Sequence, residues 1–368
     1  MFVSNLRLQN FRNYRDAQFN FNKKVVGLFG KNGSGKTNIL DAIHYLSFSK
    51  SVLNNQDSQN IGHGEKYFLV EGVFERQRKQ HTVRCVFDGK KKKLLEDGQE
   101  YSRFSEHIGK YPVIMVVPQD INLIWEAGEG RRRFFDLWLS QVDKQYLEKL
   151  VLYNQLLRQR NGLLREAQSS GSIDRDLFST YNQQMRPAAE FIHQTRKKFI
   201  QEINPALQKE YSHLVRTGEA VRVVHISDLD PEAVGNSPFE GKGVEKEIAA
   251  GRTLAGVHLD EYQFLLNDFE VRKFGSQGQQ KSFLVGLKWV ELDYAKQKKG
   301  FPPVMLLDDI FDKMDEYRVG CLMEMISRNK ESQFFITDAN PGRAKEIFKR
   351  ANLDFQGFMI EKGETIEN

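Results

Sequence analysis

The segment GKNGSGKT at residues 30–37 constrains this 368-residue chain more than any other feature. It fits the pattern G-x-x-x-x-G-K-[ST], follows the apolar stretch Val25–Phe29 and precedes the helical pattern of Thr37–Ser47. Glycines let the backbone curl until successive amide N–H groups face phosphate oxygens, and the helix start adds its positive dipole end. A glycine-rich turn without a ligand is the structural alternative. We predict a phosphate-binding loop whose nucleotide contacts come from Gly30, Lys31, Asn32, Gly33, Ser34, Gly35, Lys36 and Thr37.

A second segment predicts the chemistry performed at that loop. Lys36 is expected to reach the β- and γ-phosphates and to act in catalysis, and Thr37 is expected to ligate Mg²⁺. The sequence VMLLDD at residues 304–309 indicates a buried strand that ends in two carboxylates. Asp308 would hold Mg²⁺ opposite Thr37, directly or through water, and Asp309 would orient or deprotonate the attacking water. The alternative is an ordinary helix-capping aspartate.

A third segment, FGSQGQQKS at residues 274–282, opens a predicted helix. Ser276, Gly278 and Gln279 match the S-x-G-Q core of an ABC-type signature. A serine hydroxyl, a glycine backbone and a helix dipole all suit a γ-phosphate, although an ordinary N-capping serine would look the same. Because the loop on the same chain is expected to lie too far away, we predict that the signature acts across a dimer.

Composition excludes several classes of protein. Hydrophobic residues make up 40% and charged residues 28%, which excludes collagen-like and disordered chains. Two cysteines, Cys85 and Cys321, cannot form a disulfide framework or a four-cysteine zinc site, which indicates a reducing compartment. The sequence shows no signal peptide and no apolar run long enough for a bilayer. We therefore expect a soluble, cytoplasmic protein that does not itself associate with the membrane; a soluble partner of a membrane protein stays open.

The middle of the chain changes from mixed α/β to helical patterning. Its apolar spacings predict two long antiparallel helices, about 45 Å each if each has some 30 residues, with Pro187 kinking or interrupting the second. Residues 131–220 hold 15 Lys/Arg and 10 Asp/Glu, so the remainder holds 54 − 15 = 39 and 49 − 10 = 39. The whole positive excess therefore lies in this insert. It hints at a polyanion partner, and a solvated helical surface explains it equally well. Near the C-terminus, Phe355–Ile360 is predicted to be an edge strand.

The motifs, in this order and spacing, resemble the RecF family of bacterial DNA-repair ATPases, which are related to SMC heads. Only the helical insert is matched by pattern and not by motif. The matching segments are NFRNY (10–14), GKNGSGKTNILDAI (30–43), PQDINLI (118–124), RRRFFD (131–136), GRTLAGVHLDE (251–261), GSQGQQKSFLVGLK (275–288), LLDDIFDKMD (306–315) and QFFITD (333–338).

The resemblance implies an α/β fold, namely an ABC-type P-loop ATPase head (a mixed sheet with helices) that carries an inserted α-helical lobe. The first part of the head would be residues 1–120, with the Walker A loop and the Q-loop. The helical arm lobe would be residues 121–250. The second part of the head would be residues 251–368, with the signature, the Walker B strand and the D-loop.

The resemblance also implies roles for single residues. Arg12 would lie near the adenine or the phosphates. Gln119 takes the place of the Q-loop residue, which senses the γ-phosphate and the metal and takes part in catalysis. Residues 312–315 resemble the D-loop, which touches the opposite subunit. Thr337 stands where transporters use a switch histidine, among the nucleotide-binding residues.

The implied function is that of an ATP-dependent DNA clamp with ATP and Mg²⁺ as cofactors. Such a protein forms a homodimer on ATP, hydrolyses ATP weakly with stimulation by DNA, and binds single- and double-stranded DNA at gaps. It acts with RecO and RecR in recombinase loading, replication and the SOS response. Two alternatives remain: a RecF-like ATPase of another DNA-processing or anti-phage system, and the nucleotide-binding subunit of a transporter. Predicted DNA contacts are Arg131, Arg132, Arg133, Arg196, Lys197 and Lys198, for which solvated helix surface is the alternative.

The chain departs from the family pattern in three places. Family members usually read G-P-H-R-D-D where this chain has Val257 and Leu259 within GVHLDE, so the contacts of the missing arginine are in question. After the first helix the usual S-H-R is Ser51 followed by Val52 and Leu53. The D-loop reads DKMD and not S-E-L-D. None of these changes removes a residue of the predicted nucleotide site.

Overall fold

A computed structural model describes residues 1–126, 128–216, 218–230, 239, 243–312 and 314–366. The strands are β1 Phe2–Phe11, β2 Tyr14–Asn20, β3 Val25–Phe29, β4 Phe68–Arg76, β5 Lys79–Phe87, β6 Lys92–Glu96, β7 Gln99–Glu100, β8 Val113–Val116, β9 Val221–Ile226, β10 Glu261–Leu266, β11 Phe269–Glu270, β12 Val304–Leu307, β13 Gln333–Asp338, β14 Phe355–Glu361 and β15 Glu364–Ile366. The α-helices are α1 Lys36–Phe48, α2 Asn122–Trp125, α3 Glu129–Val142, α4 Lys144–Ser170, α5 Arg175–Leu214, α6 Val244–Ala250, α7 Val271–Phe274, α8 Gln277–Lys299, α9 Glu316–Arg328 and α10 Pro341–Arg350.

The chain divides into two compact units whose bounds differ from the predicted domains. The first unit comprises Met1–Asp120, His213–Arg216 and Leu284–Asn368, and the second comprises Ile121–Ser212 and Thr217–Phe283. Residues 251–283 are predicted to be part of the head, but the structure places them in the second unit with the long helices. The physical reason is that β10 pairs along its whole length with β9, so the two strands form one sheet inside the second unit.

Two six-stranded sheets form the first unit, and the predicted α/β head fold is confirmed. One sheet is antiparallel, in the order β2-β1-β4-β5-β6-β7, and the other has the order β15-β14-β3-β13-β12-β8. In the second sheet, β8, β12, β13, β3 and β14 run parallel to one another, and β15 pairs with β14 in the antiparallel direction. Helix α1 supplies the core between them, since 11 of its 13 residues are buried. Burial of this helix on every side fixes the loop that precedes it.

One edge prediction is wrong. Strand β14, predicted at the sheet edge, lies between β3 and β15. The chain reverses at Lys362 and Gly363, both in the left-handed region with φ of 50° and 83°, and adds β15 outside it. A two-residue turn with both φ values positive favours a tight hairpin, and this hairpin was not predicted from the sequence.

The second unit contains the two predicted long helices. Arg160 Nε in α4 donates to Asn182 Oδ1 in α5 at 2.8 Å, and Arg196 Nε in α5 donates to the Tyr146 hydroxyl in α4 at 3.0 Å. Because contacts advance along one helix as they retreat along the other, the pair is antiparallel. A three-stranded sheet, β11-β10-β9, packs with these helices in the same unit and was not predicted.

Pro187 does not interrupt the second long helix. Helix α5 runs for 40 residues through both Pro187 and Pro205. Met185 before Pro187, and Ala188 and Ile192 after it, are buried. Burial on both sides of the proline thus holds the helix together against a cost of about 3 kcal/mol for proline inside a helix.

Candidate nucleotide-binding site

The predicted nucleotide residues meet at one edge of the parallel sheet. The phosphate loop follows β3, and Asp308 follows β12. Thr337 is the penultimate residue of β13, and Gln119 lies in the 3-10 turn that follows β8. The order β3-β13-β12-β8 makes these four strands immediate neighbours. Parallel strands end at the same edge, so residues distant in sequence are brought together there.

The phosphate loop is held so closely that side chains cannot replace two of its glycines. A Cβ on Gly30, where φ is 151°, would lie 2.2 Å from the carbonyl oxygen of Ile360. A Cβ on Gly35, where φ is 116°, would lie 2.5 Å from Asn13 Nδ2. The ammonium of Lys36 is buried and donates to the carbonyls of Gly30 at 2.8 Å and of Lys31 at 3.1 Å. Lysine therefore lies inside the curl of the loop, at the position expected for a phosphate ligand.

Ser34 provides an independent indication of a ligand. Its Oγ is buried and has no hydrogen-bond partner in the part of the chain that the structure describes. A buried hydroxyl without a partner costs about 1–3 kcal/mol, which a phosphate oxygen would offset. The loop thus contains a polar group that is complete only with an anion beside it.

Thr37, Asp308 and Thr337 form a hydrogen-bonded chain. Thr37 Oγ1 lies 2.9 and 3.0 Å from the two Asp308 carboxylate oxygens, and Thr337 Oγ1 donates to Asp308 Oδ1 at 2.8 Å. Burial raises the pKa of Asp308 above its ordinary value, while both threonine hydrogen bonds act in the opposite direction. The hydroxyl oxygen of Thr37 and the carboxylate of Asp308 are hard oxygen donors of the kind that Mg²⁺ prefers. The residues present therefore fit a magnesium ion.

Asp309 is held in an unusual backbone conformation. Its φ is 44°, in the left-handed region that costs a non-glycine residue roughly 1–2 kcal/mol. Its amide donates to Thr337 Oγ1 at 2.8 Å, and its carbonyl accepts from the Asp312 amide at 3.1 Å. Burial raises the pKa of its carboxyl, and Asp338 and Asp312 raise it further while Lys36 lowers it. The left-handed backbone conformation thus sets the direction of the half-buried Asp309 side chain, independently of that of Asp308.

Thr337 and Gln119 occupy different surroundings. The hydroxyl of Thr337 is fully engaged with Asp308 and Asp309, so its observed contribution is to orient the two acidic residues. Gln119 is exposed, in the turn Pro118–Ile121. Its neighbour Asp120 fixes this turn, because Asp120 Oδ2 accepts from the Val117 amide at 3.0 Å.

Arg12 ties the first hairpin to the phosphate-loop helix. Its guanidinium donates to Asp41 Oδ2 at 2.6 Å, Asn38 Oδ1 at 2.7 Å, Ser51 Oγ at 2.9 Å and Asn60 Oδ1 at 3.0 Å. Burial lowers the pKa of Arg12, and the charge of Asp41 opposes that shift. The structure thus gives the arginine of the NFRNY segment a contact that holds the helix after the phosphate loop, and its role near the nucleotide stays a prediction.

Two residues beside Arg12 support the loop directly and were missed. Asn13 Nδ2 donates to the Ser34 carbonyl at 3.1 Å, and the Tyr14 hydroxyl donates to the Gly35 carbonyl at 3.1 Å. Both belong to the same NFRNY segment. The segment could therefore be found from the sequence, but these two contacts could not be predicted, because every residue has a backbone carbonyl.

The signature residues begin α8 as a reciprocal cap. The Ser276 amide donates to Gln279 Oε1 at 2.7 Å, and the Gln279 amide donates to Ser276 Oγ at 3.3 Å. The N-capping alternative is thus realised. The exposed Ser276 hydroxyl still retains its own proton for a ligand, because as a cap it only accepts. Gly278 follows in the first turn of the helix and is half-buried.

Arg131 is wrongly predicted as a DNA contact. It is 6% exposed, and its guanidinium donates to the carbonyls of Leu123 at 2.9 Å, Ile124 at 2.7 Å and Tyr262 at 2.6 Å. Each of its three nitrogens thus donates to a backbone carbonyl of the second unit. Its neighbours differ, since Arg132 is half-buried and donates to the Asp260 carbonyl at 2.7 Å, and Arg133 is exposed.

Arg196 is likewise a core residue. It is 1% exposed and forms ion pairs with Asp136 and Asp260, each at 2.7 Å. On the same helix, Lys197 is exposed and pairs with Asp230 at 2.7 Å, and Lys198 is exposed with Glu202 at 3.9 Å. Periodicity cannot show that an arginine on the apolar stripe will meet two buried carboxylates.

Neither a membrane-spanning helix nor a ready-made metal cluster is found in the described ranges. Among those residues, no helix combines the length and the hydropathy that a bilayer crossing needs. The same part of the chain contains no group of three or more His, Cys, Asp or Glu side chains placed to hold a metal ion by themselves. Within the D-loop-like run, Lys313 lies outside the described residues.

Known proteins resemble this chain over nearly its whole length. The AAA domain family matches residues 5–214, more than half of the chain. DNA replication and repair protein RecF of Cytophaga hutchinsonii is 36% identical over 368 residues, covering 99% of this chain and 96% of the relative. The protein of that name from Flavobacterium johnsoniae is 37% identical over 361 residues, covering 98% and 100%.

Solved structures show the same fold at lower identity. A structure of the recombination mediator protein RecF-ATPrS in the RecFOR pathway has a TM-score of 0.87 at 23% identity, covering 99% of this chain and 97% of that one. An Smc head domain from Pyrococcus furiosus, bound to a domain of ScpA, has a TM-score of 0.56 at 18% identity, covering 99% and 95%. These likenesses establish the fold.

Proposed function

This chain belongs to the RecF family of DNA replication and repair proteins, and from that premise we propose that it is an ATP-dependent DNA clamp and a weak, DNA-stimulated ATPase. The observation that carries the proposal is the contact of Thr37 with both carboxylate oxygens of Asp308, beside the unpartnered hydroxyl of Ser34. It supports a triphosphate and Mg²⁺ at the same place. A solved structure of the recombination mediator protein RecF-ATP has a TM-score of 0.87 to this chain at 24% identity.

The residues of the site divide the work of hydrolysis. Lys36 binds the β- and γ-phosphates, exchanging its contacts with loop carbonyls for charge-assisted hydrogen bonds. Thr37 and Asp308 would hold Mg²⁺, which would neutralise charge that develops on the phosphates. The hydrogen bond between them keeps the two oxygen donors together on one side of the site. Asp309 orients the attacking water, with Gln119 closing the site from the neighbouring strand.

The signature supplies the second half of each nucleotide site from another copy of the chain. Ser276 is exposed at the start of α8, so its hydroxyl proton and the helix dipole would be offered to a γ-phosphate. Gln279 is half-buried, and its Nε2 donates to Glu219 Oε1 at 2.6 Å, so we expect it to orient the serine and not to bind the phosphate itself. Shifting a dimer from 1% to 99% closed requires about 5.5 kcal/mol, or about 2.7 kcal/mol for each of two nucleotides. One or two hydrogen bonds to a charged phosphate supply that amount. ATP would thus close the dimer, and hydrolysis would open it.

DNA is the proposed partner because the family is named for DNA replication and repair. Contacts would go mainly to backbone phosphates and would therefore weaken with salt. Of the basic residues considered above, Arg133, Lys197 and Lys198 are exposed, although Lys197 pairs with Asp230 and Lys198 lies 3.9 Å from Glu202. Arg132 is half-buried and donates to the Asp260 carbonyl. RecO and RecR are proposed as partner proteins from the RecFOR pathway named for the solved relatives.

The test combines two measurements on the full-length chain. Light scattering would follow mass with ATP, ADP or no nucleotide, and fluorescence anisotropy would follow binding to gapped DNA at two salt concentrations. We expect ATP with Mg²⁺ to double the mass and to tighten DNA binding, and added salt to weaken it. ATP that changes neither the mass nor the DNA affinity would refute the clamp.

A further inference from the structure

A basic turn in the first unit was left without a role by the proposed site. Residues 88–93 read Asp-Gly-Lys-Lys-Lys-Lys, four positive charges against one negative charge. The turn joins β5 to β6, and we call it the lysine turn. Lys90, Lys91 and Lys93 are exposed. Clustering like charges on a short turn costs free energy, so an ordered cluster indicates an anionic partner more strongly than scattered lysines do.

The turn is ordered by hydrogen bonds that leave the charges of Lys90 and Lys91 in place, whereas Lys92 pairs with Asp57 at 2.8 Å and Lys93 with Glu100 at 3.8 Å. Asp88 Oδ1 accepts from the backbone amides of Lys90 at 2.9 Å and Lys91 at 2.6 Å, and the Asp88 amide donates to the Lys91 carbonyl at 3.2 Å. Gly89 has a φ of 87°, which a residue with a side chain would adopt only with strain. The carboxylate is thus spent on the backbone, and no salt bridge of Lys90 or Lys91 is recorded among the residues that the structure describes.

Lys92 anchors the turn to the helix that follows the phosphate loop. Its ammonium donates to the Ser49 carbonyl at 2.7 Å and to Asp57 Oδ2 at 2.8 Å, and it lies over the rings of Tyr45 and Phe104. Ser49 is the C-cap of α1. Alternate lysines therefore face opposite ways, so that Lys92 fixes the turn while Lys91 and Lys93 point outward, as expected for the period of a strand.

Further groups extend the same surface. Lys50 is exposed and directly follows Ser49, the residue that Lys92 contacts. Phe68 pairs with Phe87 in the sheet, and a Cβ on Gly89 would lie 3.1 Å from the carbonyl of Lys66, so the exposed Lys66 stands beside the turn. Tyr67, which follows Lys66 in the chain, is also exposed and offers an aromatic face. Lysines with an interleaved aromatic residue fit a nucleic-acid backbone.

We propose that the lysine turn, with Lys50 and Lys66, is a contact site for DNA backbone phosphates. This inference rests on the proposed function and assigns its partner to a place on the first unit that the helical insert does not contain. Contacts to phosphates position DNA without reading its sequence, so we expect this site to bind different DNA sequences alike. Because Lys92 joins the turn to the end of α1, the contact lies one helix length, about 20 Å, from Thr37.

The test compares two double variants with the same loss of charge. Lys90→Gln/Lys91→Gln removes two proposed phosphate contacts, and Lys345→Gln/Lys349→Gln removes two charges from α10. DNA affinity would be measured by anisotropy over a series of salt concentrations, with ATP affinity and ATP-dependent mass as checks on folding. We expect the slope of log affinity against log salt to become shallower by about 2 in the turn variant and to stay unchanged in the α10 variant.

The outcomes separate this inference from the clamp. Unchanged DNA affinity and slope in the turn variant, with wild-type DNA binding intact, would overturn the lysine turn and leave the clamp standing. Equal losses in both variants would also overturn it, because net charge alone would then explain the effect. Failure of the wild type to bind DNA would refute the clamp and the inference together.

Discussion

Replacing Arg12 tests whether it serves the fold or the nucleotide. Asp41 is fully buried, and Arg12 Nη2 is its only cationic partner at 2.6 Å among the described residues. The variant Arg12→Met leaves that carboxylate without a positive charge, and breaking a buried pair in this way costs about 3–5 kcal/mol. Asp41 keeps its bonds from Ser51 Oγ at 2.8 Å and the Val52 amide at 2.7 Å, so we expect the lower end, about 3 kcal/mol.

The expected loss is large enough to measure by heat. For a unit of roughly 200 residues, 1 kcal/mol shifts the Tm by about 2–4 °C, so Arg12→Met should melt about 6–12 °C lower. The matched control is Arg7→Met in the same hairpin. Arg7 pairs with Asp16 at 3.4 Å with side chains 43% and 60% exposed, and such a pair contributes about 0–1 kcal/mol.

Calorimetry without nucleotide would give both melting temperatures, and titration with ATP would give the affinities. The double variant Arg12→Met/Asp41→Asn should recover part of the loss, because the unpaired charge is gone. If Arg12→Met melts like Arg7→Met while losing ATP affinity, Arg12 does not stabilise the fold through Asp41 and acts on the nucleotide instead.

Three further variants test other parts of the molecule. Lys36→Ala should abolish ATP binding in calorimetry, because the phosphates lose their cation; an unchanged affinity would contradict the site. Ser276→Arg should leave ATP binding by the single chain intact and block ATP-dependent dimerisation, and normal dimerisation in light scattering would argue against a signature that acts across copies. Burial alone would raise the pKa of Glu96, but hydrogen bonds from Lys110, Tyr101 and Tyr111 lower it to about 2. Its contribution to stability is therefore complete above pH 4.5 and disappears as the pH falls through 2, so the Tm gap between wild type and Glu96→Gln should close over that range. A gap that is constant with pH would refute the assignment.

Sequence patterns predicted the nucleotide edge of the sheet well, for a physical reason. Strands Val25–Phe29 and Val304–Leu307 are buried on both faces and therefore appear as short unbroken apolar runs with the bounds that the structure shows. The functional side chains follow directly after them. Chain order and strand ends were thus enough to bring Thr37 and Asp308 together before any coordinates were known.

Contacts made through backbone atoms were beyond sequence reasoning. Asn13 and Tyr14 support the phosphate loop through carbonyl oxygens, which every residue has. The run of three arginines at 131–133 likewise carries no sign of which member turns inward. Arg131 does so because its helix face lies against the carbonyls of Ile124 and Tyr262, which is a property of the folded unit.

Two of the departures from the family pattern, Val52 and Leu259, fall where the side chain contributes little to the fold. Val52 replaces a usual histidine, yet the observed contact is its amide, which donates to Asp41 Oδ1 at 2.7 Å whatever the side chain. Leu259 replaces a usual arginine and is 42% exposed, whereas the retained Asp260 is buried against Arg196 and His225. A buried hydrogen-bonded carboxylate cannot change without a large cost, but an exposed neighbour can. The divergence therefore alters the surface that this chain offers to partners and leaves the clamp of Arg12 and the nucleotide edge intact.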